Sequence, residues 1–129
     1  MKFGGTSMGS AERIRVAARL TAEQRARGPV LIIVSAMSKI TDLLLDSLRK
    51  AEAGDQSDLE INLRQLSARH VETCRNLLPL ERQEAAQSGI AALIQEFTRI
   101  AKGMMMLGER PLLPLRRQQL VAGIFMAAG

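Results

Sequence analysis

The sequence predicts an α/β fold: a βαβ parallel-sheet unit followed by a long helix pair. Three observations point to it. A Gly-rich turn, Gly4-Gly5-Thr6-Ser7-Met8-Gly9, separates a short strand end from a capped helix. A continuous apolar run, Val30-Leu31-Ile32-Ile33-Val34, follows that helix. Unbroken rather than alternating apolarity marks a strand covered on both faces, as in a parallel sheet. Further on, long segments repeat apolar residues at helical spacing.

Met1 to Phe3 end a strand whose beginning is expected to be missing, because a central strand normally runs about five or six residues. Ser10 is a good N-cap, and Ala11-Glu12-Arg13 opens a helix expected to reach Arg27. Gly28 supplies a C′ stop, and Pro29 follows it. The strand Val30 to Val34 completes the βαβ unit, whose crossover should be right-handed. A helix is then expected from Ile40 or Thr41 to Ala53, with Leu43, Leu44, Leu45 and Leu48 as its apolar contacts. Gly54 to Asp58 is a polar break. The next helix aligns Leu59, Leu63, Leu66, His70, Cys74 and Leu77, and Pro79 ends it. The last aligns Ile90, Leu93, Ile94, Phe97, Ile100, Ala101 and Met104. The two should pack as an antiparallel pair, with Met104-Met105-Met106 as core filler. Residues 115–128 are compatible with one more helix.

Composition narrows the function classes. The 129 residues are 47% apolar, enough for a core in a chain of one-domain length. With three Phe and neither Trp nor Tyr, that core must be Leu, Ile, Val, Ala and Met. The net charge is +5, but the basic residues are scattered and no aromatic platform sits beside them. A nucleic-acid partner is therefore not expected. Cys74 and His70 are each the only residue of their type, so no disulfide framework or Cys-based zinc site forms within one chain. Both are expected to be ordinary helix residues. The opening lacks a signal-peptide h-region, and no apolar run is long enough to span a membrane. A cytoplasmic location is the expectation.

The Gly-rich turn carries the first candidate chemistry. The strand brings Lys2 to the mouth of a loop where Gly4 and Gly5 let backbone N–H groups approach an anion. The following helix aims its positive end at the same place, and Thr6 and Ser7 add hydroxyls. Because the Lys precedes the glycines, this is neither a Walker loop nor a dinucleotide fingerprint. These residues alone leave two readings open: an anion cradle, or a tight strand-to-helix turn without a ligand.

Lys2-Phe3-Gly4-Gly5-Thr6-Ser7 resembles the opening signature of aspartate kinases, in the amino acid kinase superfamily. Met8 to Ile14 resembles its continuation. Val34-Ser35-Ala36-Met37-Ser38-Lys39-Ile40-Thr41-Asp42-Leu43-Leu44 resembles the family's motif after the second strand. The resemblance implies the N-terminal part of an amino-acid-kinase fold. It also implies transfer of the ATP γ-phosphoryl group to the side-chain carboxylate of L-aspartate, opening lysine, threonine and methionine biosynthesis. By the same resemblance Lys2 is catalytic and contacts the ATP phosphates, Gly4 and Gly5 offer amides, and Thr6 and Ser7 line the phosphate site. Ser35 and Thr41 match positions near the aspartate, and Thr41 is equally an N-cap candidate. ATP with Mg²⁺ is the implied co-substrate. A carboxylate acceptor needs no general base, so positioning and positive charge dominate.

The resemblance covers residues 1–111, the substrate- and phosphate-side part of a kinase domain. Residues 112–129 form an atypical, acid-free tail. The family's substrate-binding Gly-Glu pair is expected there, yet the chain has Val121-Ala122-Gly123-Ile124. Gly108-Glu109 comes too early and is taken as a decoy. A shifted reading frame near residue 112 would explain the tail. The family's nucleotide-binding half and regulatory domains are not present, so the chain is expected to be an inactive fragment. A non-catalytic interaction module and one half of a split kinase are the alternatives. The open edge of a partial parallel sheet offers a route to association, including a homo-oligomer.

Overall fold

A computed structural model describes residues 1–107. Along the chain it contains β1 (Lys2–Phe3), α1 (Ala11–Arg25), β2 (Ile33–Val34), α2 (Ile40–Glu52), α3 (Gln56–Leu77) and α4 (Leu80–Leu107). β1 and β2 pair in parallel, Lys2 opposite Ile33 and Phe3 opposite Val34. The expected βαβ unit is therefore present. Gly108-Glu109, residues 112–129 and the helix expected over 115–128 lie outside the described residues.

α1 starts where its cap chemistry puts it. The Ser10 side chain accepts from the Arg13 N–H at 3.2 Å, with Glu12 in the first turn and Arg25 in the last. Its end departs from expectation. The helix stops at Arg25, and Gly28 does not adopt a left-handed conformation. Arg27 N–H instead donates to Gln24 and Gly28 N–H to Arg25, tightening the exit into three-residue steps. Pro29 disfavours helical backbone at Gly28, so the chain leaves without a glycine cap.

β2 also departs from expectation. Only Ile33 and Val34 pair, because β1 offers just Lys2 and Phe3 as partners. The strand is not covered on both faces: Leu31 is 76% exposed and Ile33 56%. The core lies elsewhere, among the last three helices.

Lys39 is the N-cap of α2; its φ of 68° is left-handed and its side chain makes no cap bond. Thr41 is thus inside the helix and is not its N-cap. Ile40, Leu44 and Leu48 face inward, and buried Ser47 satisfies its hydroxyl by donating to the Leu43 carbonyl at 2.7 Å. Gly54, at φ 73°, ends the helix. Its N–H bonds Ala51 and that of Asp55 bonds Lys50, the paired pattern of a Schellman stop. Asp55 then caps α3 by accepting from Asp58 N–H at 3.2 Å. One short polar segment therefore closes one helix and opens the next.

The helix stripes meet as expected. Ile40, Leu44, Leu48, Leu66 and Phe97 form one buried cluster, with Met37, Ile94 and Met104 against it. Ala51, Leu59 and Ala101 form a second, with Leu63 and Met105. Leu59 meets Ala101 while the later Leu66 meets the earlier Phe97, so α3 and α4 run antiparallel. At their junction the Gln83 amide donates to the carbonyls of Leu78 at 2.9 Å and Arg75 at 3.3 Å. Met104 and Met105 fill the core, whereas Met106 is exposed.

Candidate functional site

Parallel pairing puts the exits of β1 and β2 at the same end of the sheet, where ligands of open α/β sheets bind. The Gly-rich turn leaves one strand and Ser35 to Lys39 leaves the other. These loops touch. A Cβ built on Gly5 would lie 3.6 Å from the Ala36 carbonyl oxygen, and one on Gly9 would lie 3.2 Å from the Thr6 carbonyl oxygen and 3.6 Å from Ser38 Cβ. Any larger residue at Gly9 would crowd the turn.

The turn is organised by where its carbonyls go. Those of Gly4 and Gly5 both accept from the Met8 N–H, at 3.1 and 3.3 Å. That of Thr6 accepts from the Gly9 N–H at 3.3 Å and from Arg13 Nη1 at 2.7 Å. In a trans peptide the C=O and the next N–H point opposite ways. The amides of Gly5, Thr6 and Ser7 are therefore turned away from these bonds, and none donates to another group among the described residues. Successive outward amides form an anion-binding concavity. The Phe3 carbonyl is taken by the Ser35 N–H at 3.0 Å, which turns the Gly4 amide toward the other edge of β1.

The remaining candidates lie around this end. Lys2 is exposed and, by strand alternation, on the opposite face of β1 from Phe3. Ser35 is exposed immediately after β2, and Thr41 is exposed in the first turn of α2. The structure thus gathers the loops that bear these residues, while Ser35 and Thr41 face solvent rather than an enclosed pocket. Two arginines that sequence reasoning left among scattered charges also touch the turn. One is Arg13; the other is Arg69 of α3, whose Nη2 donates to the Gly9 carbonyl at 3.4 Å. Arg13 stands one turn into α1, where side chains lean back toward the helix start, and that was the available clue.

His70 and Cys74 stay out of this site. His70 Nδ1–H donates to the Leu66 carbonyl at 2.8 Å; burial and the nearby Arg69 hold the ring's pKa below its ordinary value despite that bond. Burial pushes the Cys74 thiol up. The described residues contain no group of three or more His, Cys, Asp or Glu that could hold a metal ion.

No protein-family model matches the chain. Individual relatives do. Aspartokinase 2 of Bacillus subtilis is 40% identical over 91 residues, 70% of this chain and 22% of that protein. Aspartate kinase of Pseudomonas fluorescens is 51% identical over 59 residues, 45% of this chain and 14% of its own length. Over part of its length, this chain is homologous to aspartokinases. The plant bifunctional aspartokinase/homoserine dehydrogenase 2 of Arabidopsis thaliana, a chloroplastic protein, is 42% identical over 77 residues, 60% of this chain and 8% of that enzyme. The chain thus matches less than a quarter of any of these aspartokinases. No helix among the described residues is long and apolar enough to cross a membrane.

Proposed function

We propose that this chain carries the phosphate- and substrate-side opening of an aspartate kinase domain. One observation supports it above all: the parallel register of β1 and β2 gathers both aspartokinase-like loops at one end, with amides of the first turned outward. In this reading Lys2 supplies positive charge to the transferring γ-phosphoryl group of ATP. The amides of Gly5, Thr6 and Ser7 hold phosphate oxygens, and the Thr6 and Ser7 hydroxyls line the same site. Gly4 leads the chain into the turn and anchors it through its carbonyl. Ser35 and Thr41 approach L-aspartate, whose side-chain carboxylate attacks the γ-phosphorus in line while the bond from that phosphorus to the β–γ bridging oxygen breaks, giving aspartyl phosphate and ADP.

Mg²⁺ would arrive with ATP and offset phosphate charge. The described residues contain no cluster of three or more His, Cys, Asp or Glu that could hold a metal ion, so its ligands would come mainly from the phosphates and water. They also supply no enclosed adenine or ribose pocket. Aspartate-dependent ADP release, measured in a coupled assay, should not exceed that of Lys2→Ala. Turnover that disappears with Lys2→Ala would show the chain to be an active kinase by itself.

The exposed apolar run at β2 favours a second reading, one half of a split kinase. Beside it, between α1 and the sheet, lies an open cavity of about 800 Å³ lined by Phe3, Ala17, Ala18, Ile32 and Val34 among others. A surface of this kind suits a covering segment from another chain.

A further inference from the structure

We propose that Arg13 is a positioning residue for the phosphate turn. The inference rests on reading that turn as a phosphate site, and it assigns Arg13 a role other than direct contact with the anion. Of the three outward amides, those of Gly5 and Thr6 are oriented by bonds from Met8 within the turn. Ser7 differs. Its orientation depends on the Thr6 carbonyl, whose bond from Gly9 is long at 3.3 Å and whose bond from Arg13 is short at 2.7 Å. A charge-assisted bond is the stronger of the two. Because the peptide is planar, Arg13 drawing in the Thr6 oxygen swings the Ser7 N–H outward. Arg69 does the same, more weakly at 3.4 Å, for the Gly9 carbonyl, which sets the Ser10 amide. Arg15 ties α1 to the end of α3 through the Asn76 carbonyl at 2.7 Å, so both helices approach the turn as one support.

The test uses the 129-residue chain with inorganic tripolyphosphate as the probe, and ¹⁵N NMR to follow the turn amides. Arg13→Ala should weaken binding about tenfold, as loss of a charge-assisted bond predicts. It should lower the ¹H–¹⁵N heteronuclear NOE of the Ser7 amide before any ligand is added, because its peptide plane loses its anchor, and Arg13→Lys should restore part of both. The wild-type-to-variant ratio should persist at high salt, because positioning is not screened whereas a direct charge effect is. A ratio that collapses with salt, or a Ser7 heteronuclear NOE unchanged in a well-folded Arg13→Ala, overturns the role. Wild-type chain that ignores tripolyphosphate overturns the phosphate reading and this role with it. Tight binding unaffected by Arg13→Ala overturns only the role of Arg13.

Discussion

At the residue scale, backbone conformation decides more than side-chain type. Lys39 holds a left-handed φ of 68° at the entrance to α2, a region that costs a residue with a Cβ about 1–2 kcal/mol. Lys39→Gly relieves this and loses some of the gain to a freer unfolded chain. The expected net is a stabilisation of roughly 0.5–1 kcal/mol, read as a higher urea midpoint at unchanged slope. Gly54 is the mirror case. At φ 73° its Ala variant faces no steric neighbour within 4 Å, so any loss must come from backbone strain. Gly54→Ala should destabilise by about 1 kcal/mol. His70 adds a pH effect. Its pKa is lowered in the fold from its ordinary value of 6.5, chiefly by burial. The unfolded chain therefore takes up the proton first as pH falls, so this stabilising contribution is full above 6.5 and is lost as pH drops through the folded value. His70→Gln should flatten the stability profile between about pH 5.5 and 7, a window set by the ordinary histidine pKa and above most carboxylate titration.

At the scale of elements, the helices α2, α3 and α4 hold the molecule together and the sheet does not. Phe97 is 1% exposed and Leu44 0%, and both sit in the shared cluster. Phe97→Ala should cost about 3–5 kcal/mol, through lost burial and the cavity left behind. Calorimetry should show this as a large fall in Tm, because the aromatic ring joins three helices at once. The Lys50–Asp58 pair, 3.3 Å apart across the α2–α3 junction, raises the Lys50 pKa, but its exposed position gives it little weight beside that ring.

For the whole molecule, the split between a buried helical cluster and an open sheet has a consequence for association. Leu31 is 76% exposed beside a strand that, among the described residues, pairs on one edge only. Exposed apolar strand edges promote pairing with other chains. Leu31→Lys should reduce self-association in sedimentation velocity and leave the melting temperature within a degree or so, since surface changes usually stay within about ±0.5 kcal/mol. Unchanged sedimentation would remove the sheet as the associating surface.

Much of this was legible in local sequence. Ser10 before Ala11-Glu12-Arg13 announced α1, and the stripes through Leu59, Leu66, Phe97 and Ala101 announced the antiparallel pair, because a helix needs only its own spacing and caps. The Gly-rich turn and the segment from Val34 to Leu44 carried the aspartokinase likeness for the same reason: each motif is contiguous. Strand length was not legible. Val30 to Val34 has strand composition throughout, but a strand exists only where a partner runs beside it, and β1 pairs with Ile33 and Val34, its own Phe3 carbonyl and that of Met1 before it accepting from the Ser35 and Ile33 N–H groups. Nor was the support of the phosphate turn. Arg13 and Arg69 stand 56 residues apart, and only the packing of α1 against α3 brings both to its carbonyls. The residues of the turn were determined by sequence alone; the direction in which its amides point was decided by tertiary structure, since a peptide plane turns to whichever donor reaches its oxygen.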